Sequence, residues 1–443
     1  MQLYEHQRQA LEATTDKDHV AYYHDQGLGK TFTGAEKMHQ LGATVNLIIC
    51  QKSKIEDWVD HFRTYYSYLS GFTYDLTDAR QLKGFLNHAT HADDPNCEAC
   101  YGVINYDLAW RRKELTWLED FTLMLDESSL IQNENSKRSG FILKLQPKNV
   151  ILLSGTPTGG KYETLWSQLH LLGWNISQEM YYNHYIDYHW DDANGFPLRV
   201  IDGYKNVERL KKKMRTYGCH FLKTEDCIDL PEQIDQTIKV PVSKEYRIFR
   251  EDRILKIPYS QIEPGHKDGT YLELVGDTTL TKLLYERQLC GQYNPDKLKA
   301  FLDLVESTND RLIVFYNFTA ELYAMQDILL AEDFEGYSKR FSVVNGKEKH
   351  LQNYEDKEDS ITFIQYQAGA MGLNLQKANR IIYFTPPLSS ELFEQSKKRI
   401  HRIGQGKTCF YYYLTCKGSV EEKIYKTLAM RRDFTEALFE EGE

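Results

Sequence analysis

The stretch His24-Asp25-Gln26-Gly27-Leu28-Gly29-Lys30-Thr31 constrains this chain more than any other. Two glycines one residue apart let a turn show its backbone N–H groups, and the Lys-Thr that follows opens a helix whose positive end faces the same place. Gly27, Leu28, Gly29 and Lys30 are candidates to cradle the phosphates of a nucleotide, with the Lys30 ammonium on the outer ones and the Thr31 hydroxyl on Mg2+. The pattern G-x-x-x-x-G-K-[ST] is met only from its second glycine, because His24 stands at the first. Val20-Ala21-Tyr22-Tyr23 reads as a strand entering the loop and Phe32 to Leu41 as a helix leaving it.

A chain of 443 residues exceeds what one core ordinarily serves, so two domains are expected. A net charge of −10 means that any grip on nucleic acid must come from local basic patches. Eight scattered cysteines and an N-terminus without an apolar signal core point to a reducing, cytoplasmic setting, and no apolar run reaches membrane-spanning length.

Ahead of the phosphate loop, Gln7 offers an amide with a donor and an acceptor, which suits the edge of adenine. Downstream, the apolar Phe121 to Leu125 runs into Asp126-Glu127-Ser128-Ser129. A strand ending in two acids is what a nucleotide hydrolase needs, Asp126 for the Mg2+ shell and Glu127 to polarise water. The turn after Asn149–Leu153 holds Ser154 and Thr156, small hydroxyls suited to sensing the γ-phosphate. Alternating strands and helices imply a parallel sheet with the site at its C-terminal edge. His88, His91, Cys97 and Cys100 have the donor types of a zinc site at an unusually tight histidine spacing. A polar loop with two unpaired cysteines is the plainer reading.

From about 174 to 290 the pattern loosens into aromatic and charged helical stretches, and Pro264-Gly265-His266 marks a loop. Strands then return at Arg311–Tyr316, Phe341–Asn345, Ile361–Gln365, Arg380–Phe384 and Phe410–Leu414. This second half has no phosphate loop but carries Gln367 to Leu375 and Gln395 to Gln405. Arg399 and Arg402 are three apart, so on a helix both guanidinium groups point the same way and serve as arginine fingers toward a γ-phosphate.

This ordered set resembles a superfamily 2 helicase-type motor of the Swi/Snf-type double-stranded DNA translocases. Leu47 to Trp58 is similar to that family's "CPKSLLENW", Leu153-Ser154-Gly155-Thr156-Pro157 to its "LTGTP", and Leu165-Trp166-Ser167-x-Leu169 to its "LWSLL". Arg399-Ile400-His401-Arg402-Ile403-Gly404-Gln405 is similar to "RAHRIGQ", and Lys417 to Ile424 to "KGTIEEKI". The chain departs from the family at Ser128-Ser129, where Ala-His or Gly-His is usual, at Ser154 for Thr, and at Lys398 for an acid. The missing histidine opens the question of how nucleotide state is relayed.

The resemblance implies an α/β fold of two RecA-like parallel-sheet domains with helical insertions and the nucleotide site in the interdomain cleft. The expected division is 1–222 with a helical insertion at about 174–216, a linker at 223–242, and 243–443 with a helical protrusion at about 243–290. ATP and Mg2+ are the implied ligands, with Gly372 and Gln395 joining the nucleotide contacts. Double-stranded DNA is the implied partner of a monomer, single-stranded DNA or RNA being alternatives. Asn105, Ser154, Thr156, Asn317 and Asn374 are the candidates for contact and coupling. A helicase acting on branched DNA, R-loops or RNA and a nucleotide-gated binding module without turnover remain as alternatives, and the brevity of the chain suggests a bacterial or phage source.

Overall fold

A computed structural model describes residues 3–66, 72–191, 197–258, 271–369 and 373–439. The chain divides into two compact units, Met1–Ile228 with Asp433–Glu443, and Asp229–Arg432.

In the first unit, β1 (His19–His24), β2 (Val45–Cys50), β3 (Phe72–Asp75), β4 (Cys100–Asn105), β5 (Thr122–Asp126) and β6 (Asn149–Ser154) precede a separate antiparallel hairpin, β7 (Ile186–Asp191) and β8 (Leu198–Tyr204), and then β9 (Cys219–Leu222). The main sheet has the order β3-β4-β2-β5-β6-β1-β9, and every neighbouring pair is parallel. Helices cover both faces, so its strands are near-continuous apolar runs such as Leu47-Ile48-Ile49-Cys50. Successive residues serve opposite faces. Tyr23, Leu47, Ile49, Leu123 and Leu125 enter one core, while Tyr22, Ile48, Met124 and Leu153 enter the other. Each such side chain contributes about 2 kcal/mol by leaving water. The tyrosine pair can sit in a central strand because each hydroxyl has a partner, Thr14 Oγ1 at 2.7 Å for Tyr22 and Gln168 Oε1 at 3.0 Å for Tyr23.

The second unit contains β10 (Gln233–Val240), a hairpin of β11 (Ile254–Pro258) and β12 (Tyr271–Val275), and then β13 (Leu312–Tyr316), β14 (Phe341–Val344), β15 (Lys349–His350), β16 (Ile361–Gln365), β17 (Arg380–Tyr383) and β18 (Cys409–Cys416). Its sheet order is β10-β18-β17-β13-β16-β14-β15, parallel except for the last pair. The five expected strands are all present. Lys297 and Glu421, both inaccessible to solvent, form an ion pair at 2.6 Å, and the second Glu421 oxygen accepts the Cys416 N–H at 3.0 Å.

Three stretches differ from expectation. Residues 233–240, read as part of an extended linker, form β10, which pairs along its whole length with β18. It is an edge strand with mostly exposed side chains, held by main-chain hydrogen bonds, so it has no apolar periodicity to betray it. The two insertions read as helical each carry a hairpin, β7–β8 and β11–β12. Their strands are short and only half-buried, and mixed charge and aromatics mask a period of two. The Pro264-Gly265-His266 loop lies outside the described residues. Among the described residues no helix is long and apolar enough to cross a membrane.

Candidate nucleotide site

The phosphate loop leaves the end of β1 and enters the helix Lys30–Leu41. Gly27 at φ 90° and Gly29 at φ 72° both occupy left-handed backbone, which is why glycines are needed here. His24 still belongs to β1, where extended backbone suffices, and this explains how the chain dispenses with a glycine at that position. Its buried ring meets the His220 ring, Nε2 to Nδ1, at 2.9 Å, and burial with a second imidazole holds His24 well below the ordinary histidine range. The Lys30 ammonium donates to the carbonyls of His24 (2.9 Å) and Asp25 (3.2 Å). Asp25 in turn accepts from Thr224 through its N–H (3.1 Å) and hydroxyl (3.2 Å). Thr31 is half-buried in the first turn of the helix, whose leading amides have no carbonyl of the helix to bond.

Gln7, expected at the adenine edge, lies against the phosphate loop. Its Nε2 donates to the Leu28 (3.3 Å) and Gly29 (3.1 Å) carbonyls, and its Oε1 accepts from the Tyr4 N–H at 2.9 Å. The nitrogen end of the amide braces the loop, and the oxygen end caps the helix that carries Gln7.

Strand register brings the other acids and hydroxyls to the same edge. Tyr23 pairs with Ser154 and Asp126 with Leu153, so the loops after β1, β5 and β6 leave the sheet at one level. Asp126 Oδ2 accepts from the Trp58 indole N–H at 2.9 Å, and the Tyr106 hydroxyl donates to the Asp126 carbonyl at 2.9 Å. Burial raises the Asp126 carboxyl above the usual carboxylate range against the pull of that indole bond and of Lys30 and Lys54. Glu127 follows at φ 55°, a left-handed conformation that costs a side-chain-bearing residue about 1 kcal/mol and is concentrated at functional sites. A Cβ built on Gly155 would lie 3.4 Å from Lys30 Nζ and 3.1 Å from Gln26 Cγ, so the turn after β6 lies directly against the phosphate loop. Ser154 Oγ accepts from the Thr156 N–H at 3.1 Å, and the buried Thr156 hydroxyl has no protein partner among the described residues. Asn105 ends β4 and lines a cavity of about 860 Å³ with Lys52, Arg63 and Arg111.

In the second unit, the helix Ser390–Lys397 stops before the two arginines. Arg399 and Arg402 lie in the turns beyond it, so the helical argument for their common direction does not hold. Arg399 is buried, and Arg402 Nη1 donates to Asn374 Oδ1 at 2.6 Å. Gln405 knots the turn by donating to the carbonyls of Gln376, Ala378 and Ile400, and His401 Nε2 meets the Pro231 carbonyl at 2.8 Å. Gln395 is buried on the helix and donates to Glu391 at 3.2 Å. The Asn317 amide donates to the Thr385 hydroxyl at 2.8 Å and the Pro386 carbonyl at 3.1 Å. Gly372 lies outside the described residues.

The four zinc candidates do not meet as a ligand set among the described residues. His88 directs its ring nitrogens to the Glu98 carbonyl (2.7 Å) and the Tyr74 hydroxyl (3.4 Å), His91 turns to the Asn87 carbonyl, and Cys100 is buried within β4. The donor cluster that does converge is Cys290, Cys416 and Glu421, where the Lys297 ammonium already supplies a positive charge.

Residues 7–294 match the model of the SNF2-related domain. The chain belongs to the SNF2-related family. Residues 296–404 match the helicase conserved C-terminal domain and fall within the second unit of this SNF2-related chain. Among curated relatives, the Bacillus subtilis protein YwqA is 24% identical over 94% of this chain and 46% of its own length. A Mus musculus SWI/SNF-related, matrix-associated, actin-dependent regulator of chromatin, subfamily A member 1, is 22% identical over 94% of this chain and 41% of its own. The Saccharomyces cerevisiae DNA repair and recombination protein RAD26 is 24% identical over 68% of this chain and 30% of its own. The chain thus spans less than half the length of each of these relatives. A solved Sulfolobus solfataricus SWI2/SNF2 ATPase core in complex with dsDNA aligns over 98% of this chain and 92% of that one, at 18% identity and a TM-score of 0.43.

Three residues at the site carried no assigned role in the sequence: Trp58, Tyr106 and Gln168. Trp58 ends the segment similar to "CPKSLLENW" and so had a signal; the other two had none, because their partners are backbone atoms or residues distant in sequence.

Proposed function

We propose that this chain is an ATP-driven motor that moves along double-stranded DNA. The observation that carries the reading is the convergence of Lys30, Asp126-Glu127 and Ser154–Thr156 on one edge of one parallel sheet. The donor set fits a nucleotide with its metal: a helix N-terminus and an ammonium for phosphates, a carboxylate for a cation, and a buried Thr156 hydroxyl with bonding capacity to spare. When bound, Mg2+ neutralises charge on the phosphates. Thr31 and Asp126 would hold it.

In this reading Lys30 exchanges the loop carbonyls for phosphate oxygens, and Glu127 orients the attacking water and takes its proton. Arg399 and Arg402 act on the γ-phosphate when the lobes close, and Gly372, Gln395 and Asn374 contribute from the second unit. Names borne by relatives, among them a chromatin regulator and a DNA repair protein, support nucleic acid as the track. Grip at the phosphates leaves little sequence preference.

The test is ATP hydrolysis by the whole chain with duplex DNA, single-stranded DNA and RNA in parallel. Duplex DNA is expected to stimulate turnover most. Stimulation by RNA alone overturns the duplex track, and absence of turnover with every nucleic acid overturns the motor.

A further inference from the structure

Gln168, on the helix Trp166–Leu171, is wholly buried and bonds to strand β1 and to the turns that follow β5 and β6. Its Oε1 accepts from the Ser128 hydroxyl at 2.7 Å and from the Tyr23 hydroxyl at 3.0 Å, and its Nε2 donates to the Pro157 carbonyl at 2.8 Å. The carbonyl at Pro157 demands a donor, and this fixes which end of the amide is which. Two of the partners stand beside residues of the proposed chemistry, Ser128 directly after Glu127 and Pro157 directly after Thr156, while Tyr23 lies in the strand that leads into the phosphate loop.

We propose that Gln168 is a positioning residue that locks the turn bearing Glu127 to the Ser154–Thr156 loop and so relays nucleotide state between them. The two hydroxyl bonds share one oxygen, and a planar amide holds the third bond on its other end. A shift of the Glu127 turn therefore moves the Pro157 carbonyl, and with it the Thr156 hydroxyl, or else breaks a buried hydrogen bond. Ser128 stands where this chain departs from the motif it resembles, beside the missing histidine. With Gln168 it does by side-chain hydrogen bonds what the departure at Ser129 leaves open.

The role rests on the hydrolytic activity proposed for the site. Its test is steady-state hydrolysis by the full chain, with duplex DNA saturating, for Ser128→Ala, Gln168→Leu and the double variant, and for Ser128→Thr, which keeps the hydroxyl. We expect each single loss to lower kcat tenfold or more with KM for ATP within twofold. The double variant should be no worse than the poorer single one, and Ser128→Thr should restore most of kcat. Thermal melts identify a variant that fails to fold, in which case Tyr23→Phe, which deletes one bond to the same oxygen, takes its place. Singles that retain kcat, effects that multiply in the double variant, or losses confined to KM overturn the relay while leaving the motor intact. A wild-type chain that hydrolyses nothing overturns both.

Discussion

The Gln7 amide nitrogen lies 3.1 Å from the Gly29 carbonyl oxygen, and a methyl group on Gly29 would come within 2.3 Å of that nitrogen. The phosphate loop is therefore braced from a helix that precedes it, and its second glycine is required twice, once for the left-handed φ and once for the brace. Gln7→Ala removes two donations to the loop, each worth about 1 kcal/mol net. Nucleotide affinity should fall about tenfold, with the maximal hydrolysis rate less affected. Titration with a fluorescent ATP analogue measures it.

Glu127→Gln keeps the size of the side chain and removes its basicity. Hydrolysis should drop by about 10² to 10⁴ while ATP binding persists, a combination read by pairing a phosphate-release assay with the same titration. Unchanged hydrolysis would remove Glu127 from the chemistry.

The Lys297–Glu421 pair is sealed in the second unit, so losing one partner strands a buried charge. Glu421→Ala should destabilise that unit by about 3–5 kcal/mol, and Lys297→Met with Glu421→Leu should recover much of it. Chemical denaturation, followed by the unit's own transition, distinguishes the two.

Stability should also depend on pH through buried imidazoles. Burial pushes His61, packed against Phe32 and Trp58, down to about 4, and lowers His24 and His220 as well. Unfolded, these rings take up protons below about 6.5; folded, they resist. The unfolded chain thus binds more protons over this window, and stability is complete above about 6.5 and declines toward the folded-state values. The melting midpoint should fall by several degrees between neutral pH and pH 5, and His61→Leu should flatten part of that slope.

Much of this was open to the sequence because parallel sheets write themselves as apolar runs. Leu123-Met124-Leu125 before Asp126-Glu127 announced a strand that ends in two acids. β10 stayed hidden because an edge strand needs only main-chain partners, and the two hairpins because their strands bury too little to show a period. At the site, residue types were readable while directions were not. Arg399 and Arg402 have helical spacing but follow the helix, and the carbonyls that the Gln7 and Asn317 amides meet lie far off in sequence. Glu127's backbone conformation belongs to the turn it sits in, which no local composition reports.

The Asp25–Thr224 bonds have a practical corollary. All eight cysteines are unbridged, six are buried, and only Cys97 and Cys227 are partly accessible. Cys227 donates its N–H to the Thr224 carbonyl at 3.1 Å, which puts a natural thiol one turn from a residue clasped by the phosphate loop. With Cys97 replaced by serine, a maleimide dye on Cys227 would turn the unmodified fold into an optical gauge of nucleotide arrival.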